Sequence, residues 1–187
     1  MPKQLLTREK IVDIGVALIE DGKELTFSAV AKKLGSRSQA IYTYFKNVDE
    51  LKYTIIAWAL SIAGRRMQCQ LFGQSGIEAI IEFAKQFRAL ALRHDRLSRF
   101  VLSAVRTTKY PEVDAALDVL KKLLNQLLEG TFKAKRLRIL ASRCIRDLIV
   151  GDIINVGTGW FTSGEMSTDQ SFDQNLRHNL ELFQRMN

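Results

Sequence analysis

A chain of 187 residues with 47% hydrophobic and 26% charged residues is long enough to bury a sizeable core and too hydrophobic to be disordered. Two prolines and eleven glycines provide too few turn signals for a sheet protein, so an all-α fold is predicted. The formal net charge of +8 suits a polyanionic partner but does not prove one.

Several classes of protein are disfavoured by the sequence. Cys69 and Cys144 have no CxxC partner or neighbouring histidine, so we expect buried thiols and no metal site. His94 and His178 lack a carboxylate or thiol partner at motif spacing, and hydrolase and P-loop signatures are absent, so neither an enzyme nor a cofactor is predicted. Without a signal-peptide run or a span of about 18 apolar residues, a cytoplasmic protein with no membrane partner is expected.

Three short helices are predicted within the first 45 residues. The first opens at Thr7 as N-cap and ends before Gly22, the second is capped by Thr26 and stopped by Gly35, and the third is SQAIYTYF, residues 38–45. The apolar faces are Ile11, Ile14, Ala17 and Leu18; Phe27, Val30, Ala31 and Leu34; and Ala40, Ile41 and Phe45. The side chains expected to face outward from the third are Gln39, Tyr42, Thr43 and Tyr44.

Longer helices are predicted from there to the end of the chain. Their approximate ranges are 48–68, 75–93, 95–107, 111–129, 132–156 and 172–186. The stripe expected along the first of them is Leu51, Ile55, Trp58 and Ile62. Ser171 and Gln174 are spaced as a capping box for the last, and the stretch 157–170, rich in glycine, serine and threonine, predicts a loop before it.

The second and third helices, joined by a tight turn led by Gly35, match the helix-turn-helix arrangement. In that motif the later helix lies in the DNA major groove, so it must be polar outward to reach bases and phosphates and apolar inward to stay docked. SQAIYTYF meets both requirements. The alternative is that Tyr42 and Tyr44 are packing residues and that Arg37 and Gln39 are solvated helix surface. The pattern of the three helices together disfavours this alternative.

Residues 7–60 also resemble a known family. The stretch LTFSAVAKKLGSRSQAIYTYFKNVDEL, residues 25–51, is similar to the DNA-binding domain of TetR-family transcriptional regulators, which shows a Thr cap, a Val-Ala or Ile-Ala pair, a Gly turn, a Tyr-x-His-Phe run and an Asn-x-x-x-Leu entry to helix four. About a third of the chain carries this pattern. The remainder agrees with the family in length and helical character.

The resemblance implies roles for particular side chains. It places base-reading contacts on helix two and at or on helix three, and phosphate contacts on the tyrosines. The DNA-binding residues predicted in this way are Thr26, Ser28, Arg37, Ser38, Gln39, Tyr42, Thr43, Tyr44 and Lys46. Gln39 suits an adenine edge, and Arg37 suits a guanine or a phosphate.

The chain departs from the family pattern at two of its positions. Tyr44 replaces the usual His, and its phenol can still donate to a phosphate. Val48 replaces a frequent Lys, so Lys46 or the backbone amides at the start of helix four are expected to hold the phosphate instead. Residues 1–60 hold nine Lys/Arg against seven Asp/Glu, a net of +2, so weak nonspecific attraction to DNA is expected.

The resemblance also implies an organisation of the whole chain. Residues 1–47 would form the DNA-binding domain, helix 48–68 the link, and residues 69–187 a domain for effector binding and dimerisation. The last two long helices would form a homodimer on a near-palindromic operator, and an unidentified small-molecule effector would release a repressor from it. The alternative is a DNA-binding protein of the same fold that acts without a small effector, constitutively or through a protein partner.

Two basic clusters and one apolar set have no assigned role. The run 133–146 holds six Lys/Arg and no acid, which usually means a solvated face but would also suit an anionic partner. A second cluster, around residues 93–109, would suit the entrance of a pocket for an acidic ligand. The candidates for an apolar cavity, which at helical spacing are more often core, are Trp58, Phe83, Phe87, Phe100, Cys144 and Trp160.

Overall fold

The computed structural model describes residues 6–186, and over that range the protein consists of nine α-helices with no strand. The all-α prediction is confirmed. The helices are α1 Arg8–Glu20, α2 Phe27–Lys33, α3 Ser38–Ile41, α4 Val48–Gln70, α5 Gly76–Arg93, α6 Asp95–Leu102, α7 Pro111–Glu129, α8 Lys135–Gly157 and α9 Thr168–Arg185.

The chain divides into two compact units, and neither is continuous in sequence. The first contains the described residues up to Ser61 together with Arg96–Ala116, and the second contains Ile62–Asp95 and the described residues from Leu117 onward. The helices α4 and α7 therefore contribute residues to both units. The functional boundaries at residues 47, 68 and 69 stay a prediction.

Sequence signals at both ends define α1 and α2. The hydroxyls of Thr7 and Thr26 accept the backbone N–H groups of Lys10 and Ala29, at 3.2 and 3.1 Å, as N-caps do. Both helices end in a Schellman motif with a glycine in the left-handed region, at φ +70° for Gly22. The predicted limits of these two helices are confirmed.

An entirely apolar core holds the first unit together. Residues from α1, α2, α3 and α4 meet there, and Leu97 of α6 joins them. Its fully buried side chains are Ile11, Val30, Ile41, Leu51 and Ile55. Gly15 of α1 is packed so closely that a Cβ there would come within 2.6 Å of Ile55 Cδ1. A side chain at that position would require Ile55 of α4 to shift.

In the second unit, an ion pair is buried among apolar side chains. Arg88 of α5 is 6% exposed and Asp152 of α8 is 8% exposed, and the Arg88 Nε donates to Asp152 Oδ2. Arg88 Nη1 also donates to Asp169 of α9, at 2.6 Å. One guanidinium thereby joins three helices, and its remaining nitrogen, Nη2, is buried with no hydrogen-bond partner.

Three of the predicted helices have different limits in the structure. α3 ends at Ile41, and Tyr44 and Phe45 donate to the Ile41 carbonyl in a turn instead of continuing the helix. α6 ends at Leu102, where the Ser103 hydroxyl donates to the Phe100 carbonyl in competition with the helical bonds. The third, α9, begins four residues earlier than predicted.

The capping box of α9 is formed by another pair of residues than the predicted Ser171 and Gln174. The sequence STDQSFDQ contains the Ser-x-x-Gln spacing twice, and the structure uses Ser167 with Gln170. Ser167 has extended backbone dihedrals, whereas Ser171 lies in the helix and its hydroxyl donates to the Thr168 carbonyl. The prediction of the box is therefore wrong by one turn.

Some predicted core positions are exposed. Trp58 and Ile62 of α4 are 36% and 37% exposed, so the stripe predicted for that helix is wrong in its second half. Cys69 is exposed as well, while Cys144 is partly buried, which raises the pKa of its thiol, and Asp147 raises it further. Within residues 6–186, no helix combines the length and apolar character that crossing a membrane requires.

Candidate nucleic-acid interface

The turn between α2 and α3 is set by backbone hydrogen bonds around Gly35. Ser36 N donates to Ala31 O at 2.9 Å and Gly35 N to Lys32 O at 3.3 Å, with Gly35 at φ +62°. A Cβ on Gly35 would meet nothing within 4 Å. Glycine is therefore needed here for its backbone conformation and not for space. Arg37 follows in an extended conformation and starts α3.

Two buried side chains dock the third helix on the first unit. Ile41 is 0% exposed and Phe45 is 1% exposed, as predicted, while Ala40 is half-buried. The ring of Tyr42 packs edge-on against Phe27, with the ring centroids 4.9 Å apart, although 61% of Tyr42 remains exposed. Tyr42 thus has one side against the core of the unit and its other side open to solvent.

Most of the predicted DNA-binding residues are open to solvent. Those exposed to solvent are Ser28, Arg37, Gln39, Tyr42, Thr43 and Lys46. Thr26 and Ser38 are half-buried, and the Thr26 oxygen is engaged as the N-cap of α2. The exposed side chains of residues 28–46 therefore include an aromatic hydroxyl, an amide, a guanidinium and aliphatic hydroxyls, a mixture suited to both bases and phosphates.

Tyr44 differs from Tyr42 in its surroundings. It is half-buried, and its hydroxyl donates to the Leu6 carbonyl at 2.5 Å. A phenol has a single proton to donate, so while this bond is made the hydroxyl cannot also donate to a phosphate. The phosphate role of Tyr44 stays a prediction, and any such contact requires the bond to Leu6 to open.

Arg8 supports this surface from α1, which sequence reasoning missed. Its Nη1 donates to the Tyr44 carbonyl at 2.6 Å, its Nη2 to Glu50 Oε1 at 3.1 Å, and its guanidinium lies 4.1 Å from the Phe45 ring centroid. Glu50 in turn accepts the Lys46 backbone N–H at 2.8 Å. The segment after α3 is thus held from both α1 and α4. No local pattern could reveal this, because Arg8 and its partners are at least 36 residues apart.

Comparison of the fold with solved structures gives full-length matches. FadR from Bacillus subtilis, solved in complex with stearoyl-CoA, matches with a TM-score of 0.66 and 19% identity over 95% of this chain and 97% of its own. FadR from Bacillus halodurans gives 0.61, also with 19% identity, over 94% and 95%. A Mesorhizobium loti protein assigned to the TetR family gives 0.62 with 14% identity, over 96% and 95%.

The protein has the fold of a TetR-like transcriptional regulator. The resemblance found in residues 7–60 is confirmed at the level of the fold. No family model and no curated protein matches the sequence. The similarity to these regulators therefore comes from the comparison of structures.

In this TetR-like fold, the start of α4 is a poor place for a phosphate. The Asn47 side chain accepts the Glu50 N–H at 2.8 Å, and the Lys46 N–H is already bonded to Glu50. Asp49 and Glu50 lie in the first turn, where they complement the helix dipole and repel an anion. Of the two expected substitutes for a cation at Val48, the exposed Lys46 side chain is the better supported.

The basic cluster of residues 93–109 is engaged in structural contacts at two of its members. Arg96 donates to the Glu20 carbonyl at 2.9 Å, and its guanidinium lies beside Gly22. Arg106 pairs with Asp114 at 2.9 Å. These contacts favour a structural role over the entrance of an acidic-ligand pocket. Within the part of the chain that the structure describes, no three His, Cys, Asp or Glu side chains are grouped to hold a metal ion.

Proposed function

We propose that this protein is a sequence-specific DNA-binding transcriptional regulator, acting as a homodimeric repressor that a small-molecule effector releases from its operator. The observation that carries the proposal is the exposed set on the α2–α3 motif, with Arg37, Gln39 and Tyr42 open to solvent while Ile41 and Phe45 hold the motif on its core. The TetR-like fold supports the same reading.

The proposed reading geometry assigns different tasks to the exposed residues. Gln39 reads an adenine edge, and Arg37 contacts a guanine or a phosphate, each good bidentate pair contributing about 1–3 kcal/mol of discrimination. Tyr42 and Lys46 contact phosphates. Because residues 1–60 have a net charge of only +2, hydrogen bonds and dimer geometry contribute more to affinity than bulk attraction does.

The proposed dimer forms through α8 and α9. Both helices keep apolar side chains exposed after their inner stripes are buried, and these are Ile139, Leu140, Val150 and Ile154 of α8 and Leu182 of α9, with Met186 directly after it. In a twofold dimer the two α3 helices would be about 34–36 Å apart, one turn of DNA. The operator would then be near-palindromic.

The proposed effector acts by binding one conformation of the dimer better than the other, because only differential affinity moves such an equilibrium. Helix α4, which continues from the first unit into the second, would transmit the conformational change to the α2–α3 motif. The Bacillus subtilis FadR structure, solved with stearoyl-CoA, supports a small ligand as effector. The alternative remains regulation without a small effector.

DNA binding is tested first by selecting binding sites from random duplexes and measuring affinity by fluorescence anisotropy. We expect a near-palindromic site and binding that Tyr42→Ala weakens at least tenfold. Tyr42→Phe is the matched control: it keeps the ring that packs on Phe27 and removes only the hydroxyl. Equal affinity of the wild type and both variants would show that Tyr42 does not contact DNA.

Salt dependence separates the two kinds of contact. Lys46→Ala should reduce the slope of log affinity against log salt by about 1 and weaken all sequences equally, whereas Gln39→Ala should relax specificity at one base pair.

The dimer and the effector are tested separately. Val150→Arg should convert the dimer to a monomer in sedimentation. An unchanged operator affinity with every pocket-filling ligand would refute the sensor and leave DNA binding intact.

A further inference from the structure

The second unit contains a cleft of about 630 Å³ between the C-terminal half of α8, the loop 158–167 and the first half of α9. This volume is within the range of about 300–1,000 Å³ that small-molecule sites occupy. Of the residues that the sequence suggested for an apolar cavity, only Trp160 lines it. The cleft is therefore a different site from the one that apolar periodicity indicated.

The charged side chains that line the cleft are all acidic. Asp147 and Asp152 of α8 contribute carboxylates, and no Lys, Arg or His is among the lining residues. The uncharged polar lining consists of asparagine side chains, including Asn155, and of Ser and Thr hydroxyls. This local character is opposite to that of the whole chain, which has a net charge of +8.

The cation that pairs with Asp152 is shared between two carboxylates. Arg88 bonds to Asp152 of the lining and to Asp169 outside it, whereas Asp147 takes part in none of the described ion pairs. The N-terminus of α9, which would otherwise attract an anion, is closed by the Ser167–Gln170 capping box and has Asp169 in its first turn. An anionic headgroup in the cleft would thus meet the carboxylate of Asp147.

The walls of the cleft are aromatic. Trp160 and Phe161 of the loop are 75% and 49% exposed, and Phe172 of α9 forms a buried wall. An indole face attracts a cation and also packs against an apolar ring. The negative charge and the aromatic surface therefore both favour a positively charged ligand.

We propose that this cleft binds an organic cation with an aromatic or bulky apolar body, its charge facing Asp147 and its body against Trp160 and Phe161. The inference deepens the proposed function, since such a cation would be the effector. Binding at the cleft is nevertheless measurable in the absence of DNA, so it stands or falls separately from DNA binding.

The experiment uses the full-length protein with Trp58→Phe, which leaves Trp160 as the only tryptophan. Its fluorescence is titrated with tetraphenylphosphonium and, in parallel, with tetraphenylborate. The two probes share shape and apolar surface and differ in the sign of their charge. We expect saturable quenching by the cation at a concentration at least tenfold lower than that needed for the anion.

Two variants and one control locate the site. Asp147→Asn removes a charge at an exposed position and should weaken cation binding about fivefold, and Trp160→Ala, followed by calorimetry, should weaken it about tenfold. Glu181→Gln removes an exposed carboxylate of α9 that does not line the cleft and should change nothing. Asp152 is left intact because its loss would remove the buried partner of Arg88.

Three results would overturn the inference. The first is equal affinity for the two probes, and the second is Asp147→Asn binding the cation as the wild type does. The third is a cation that binds only after Leu182→Arg, a change outside the cleft, has converted the dimer to a monomer, since the second copy would then occupy the cleft. Cation binding without any operator binding would uphold the inference and refute the proposed function.

Discussion

The two compact units place their charged side chains differently. In the first, the described ion pairs, such as Arg8–Glu50 and Arg106–Asp114, are solvent-accessible, and the core contains only apolar side chains. In the second, Arg88 and Asp152 are buried among the helices. The first unit therefore keeps its described ion pairs at the surface, whereas the second buries one of them between its helices.

This difference determines how much stability each unit loses when one charged side chain is removed. An apolar core tolerates the loss of a surface pair, because an exposed pair contributes about 0–1 kcal/mol. A buried pair leaves an uncompensated charge when one member is removed, so the second unit should be much more sensitive to a single charge change. The following variants test the contrast, beginning with the largest expected effect.

The strongest test removes one member of each kind of pair. Asp152→Ala removes the buried partner of Arg88 and leaves only the exposed carboxylate of Asp169, so we expect the free energy of unfolding to fall by about 3 kcal/mol in urea titration. Asp114→Ala, which breaks the exposed pair with Arg106, should cost less than about 1 kcal/mol. The double variant Arg88→Met with Asp152→Leu should regain most of the loss, and equal costs for the two single changes would contradict the contrast.

A second test compares two glycines whose added Cβ would be unobstructed. Gly35→Ala forces a side chain into the left-handed region at φ +62°, so we expect a cost of about 1–2 kcal/mol. Gly151→Ala, inside α8 at an ordinary helical conformation, should stabilise by about 0.5–1 kcal/mol. Thermal unfolding reports both, and the same sign for the two changes would show that space, not backbone conformation, decides.

A third test concerns the start of α9. Ser167→Ala should lower the free energy of unfolding by about 1 kcal/mol, because it removes the N-cap of the helix. Ser171→Ala removes a hydroxyl that bonds within the helix and should cost only a few tenths, since alanine is the better helix former there. The reverse order in chemical denaturation would place the capping box one turn later.

The smallest effect is expected for Glu50, which helps to hold the segment after α3. The Lys46 backbone N–H is the main cause of a lowered pKa for Glu50; partial burial opposes it, and Arg8 adds to it. The ionised Glu50 therefore stabilises the fold above the ordinary glutamate range, and this is lost as pH falls through its folded pKa. Glu50→Gln should cost about 0.5 kcal/mol at pH 7 and nothing in acid, measured by urea unfolding across pH.

The sequence predicted what depends on neighbours along the chain. Thr7, Gly22, Thr26 and Gly35 start and end α1 and α2 by local hydrogen bonds and dihedrals, and Pro111 starts α7, so those limits were predictable. The end of α3 was not predictable. Ile41 and Phe45 are four residues apart, so both would face the core whether residues 42–45 formed a helix or the turn that the structure contains.

Contacts between distant residues account for what was missed. Arg8 lies 36 residues from Tyr44, and Arg88 lies 64 residues from Asp152. In sequence each is one charge on an amphipathic helix, with nothing to separate a structural partner from a solvated side chain. The cleft in the second unit has the same origin, because it joins α8, a loop and α9 through side chains that are unremarkable singly.

The hydrogen bond from Tyr44 to the Leu6 carbonyl has a practical consequence for anyone who produces this protein. The backbone at Leu6 is held beside the turn that follows α3. An N-terminal affinity tag or fusion partner joins the chain only five residues ahead of this bond in sequence. Operator binding should therefore be measured on tagged protein and on protein from which the tag has been cleaved.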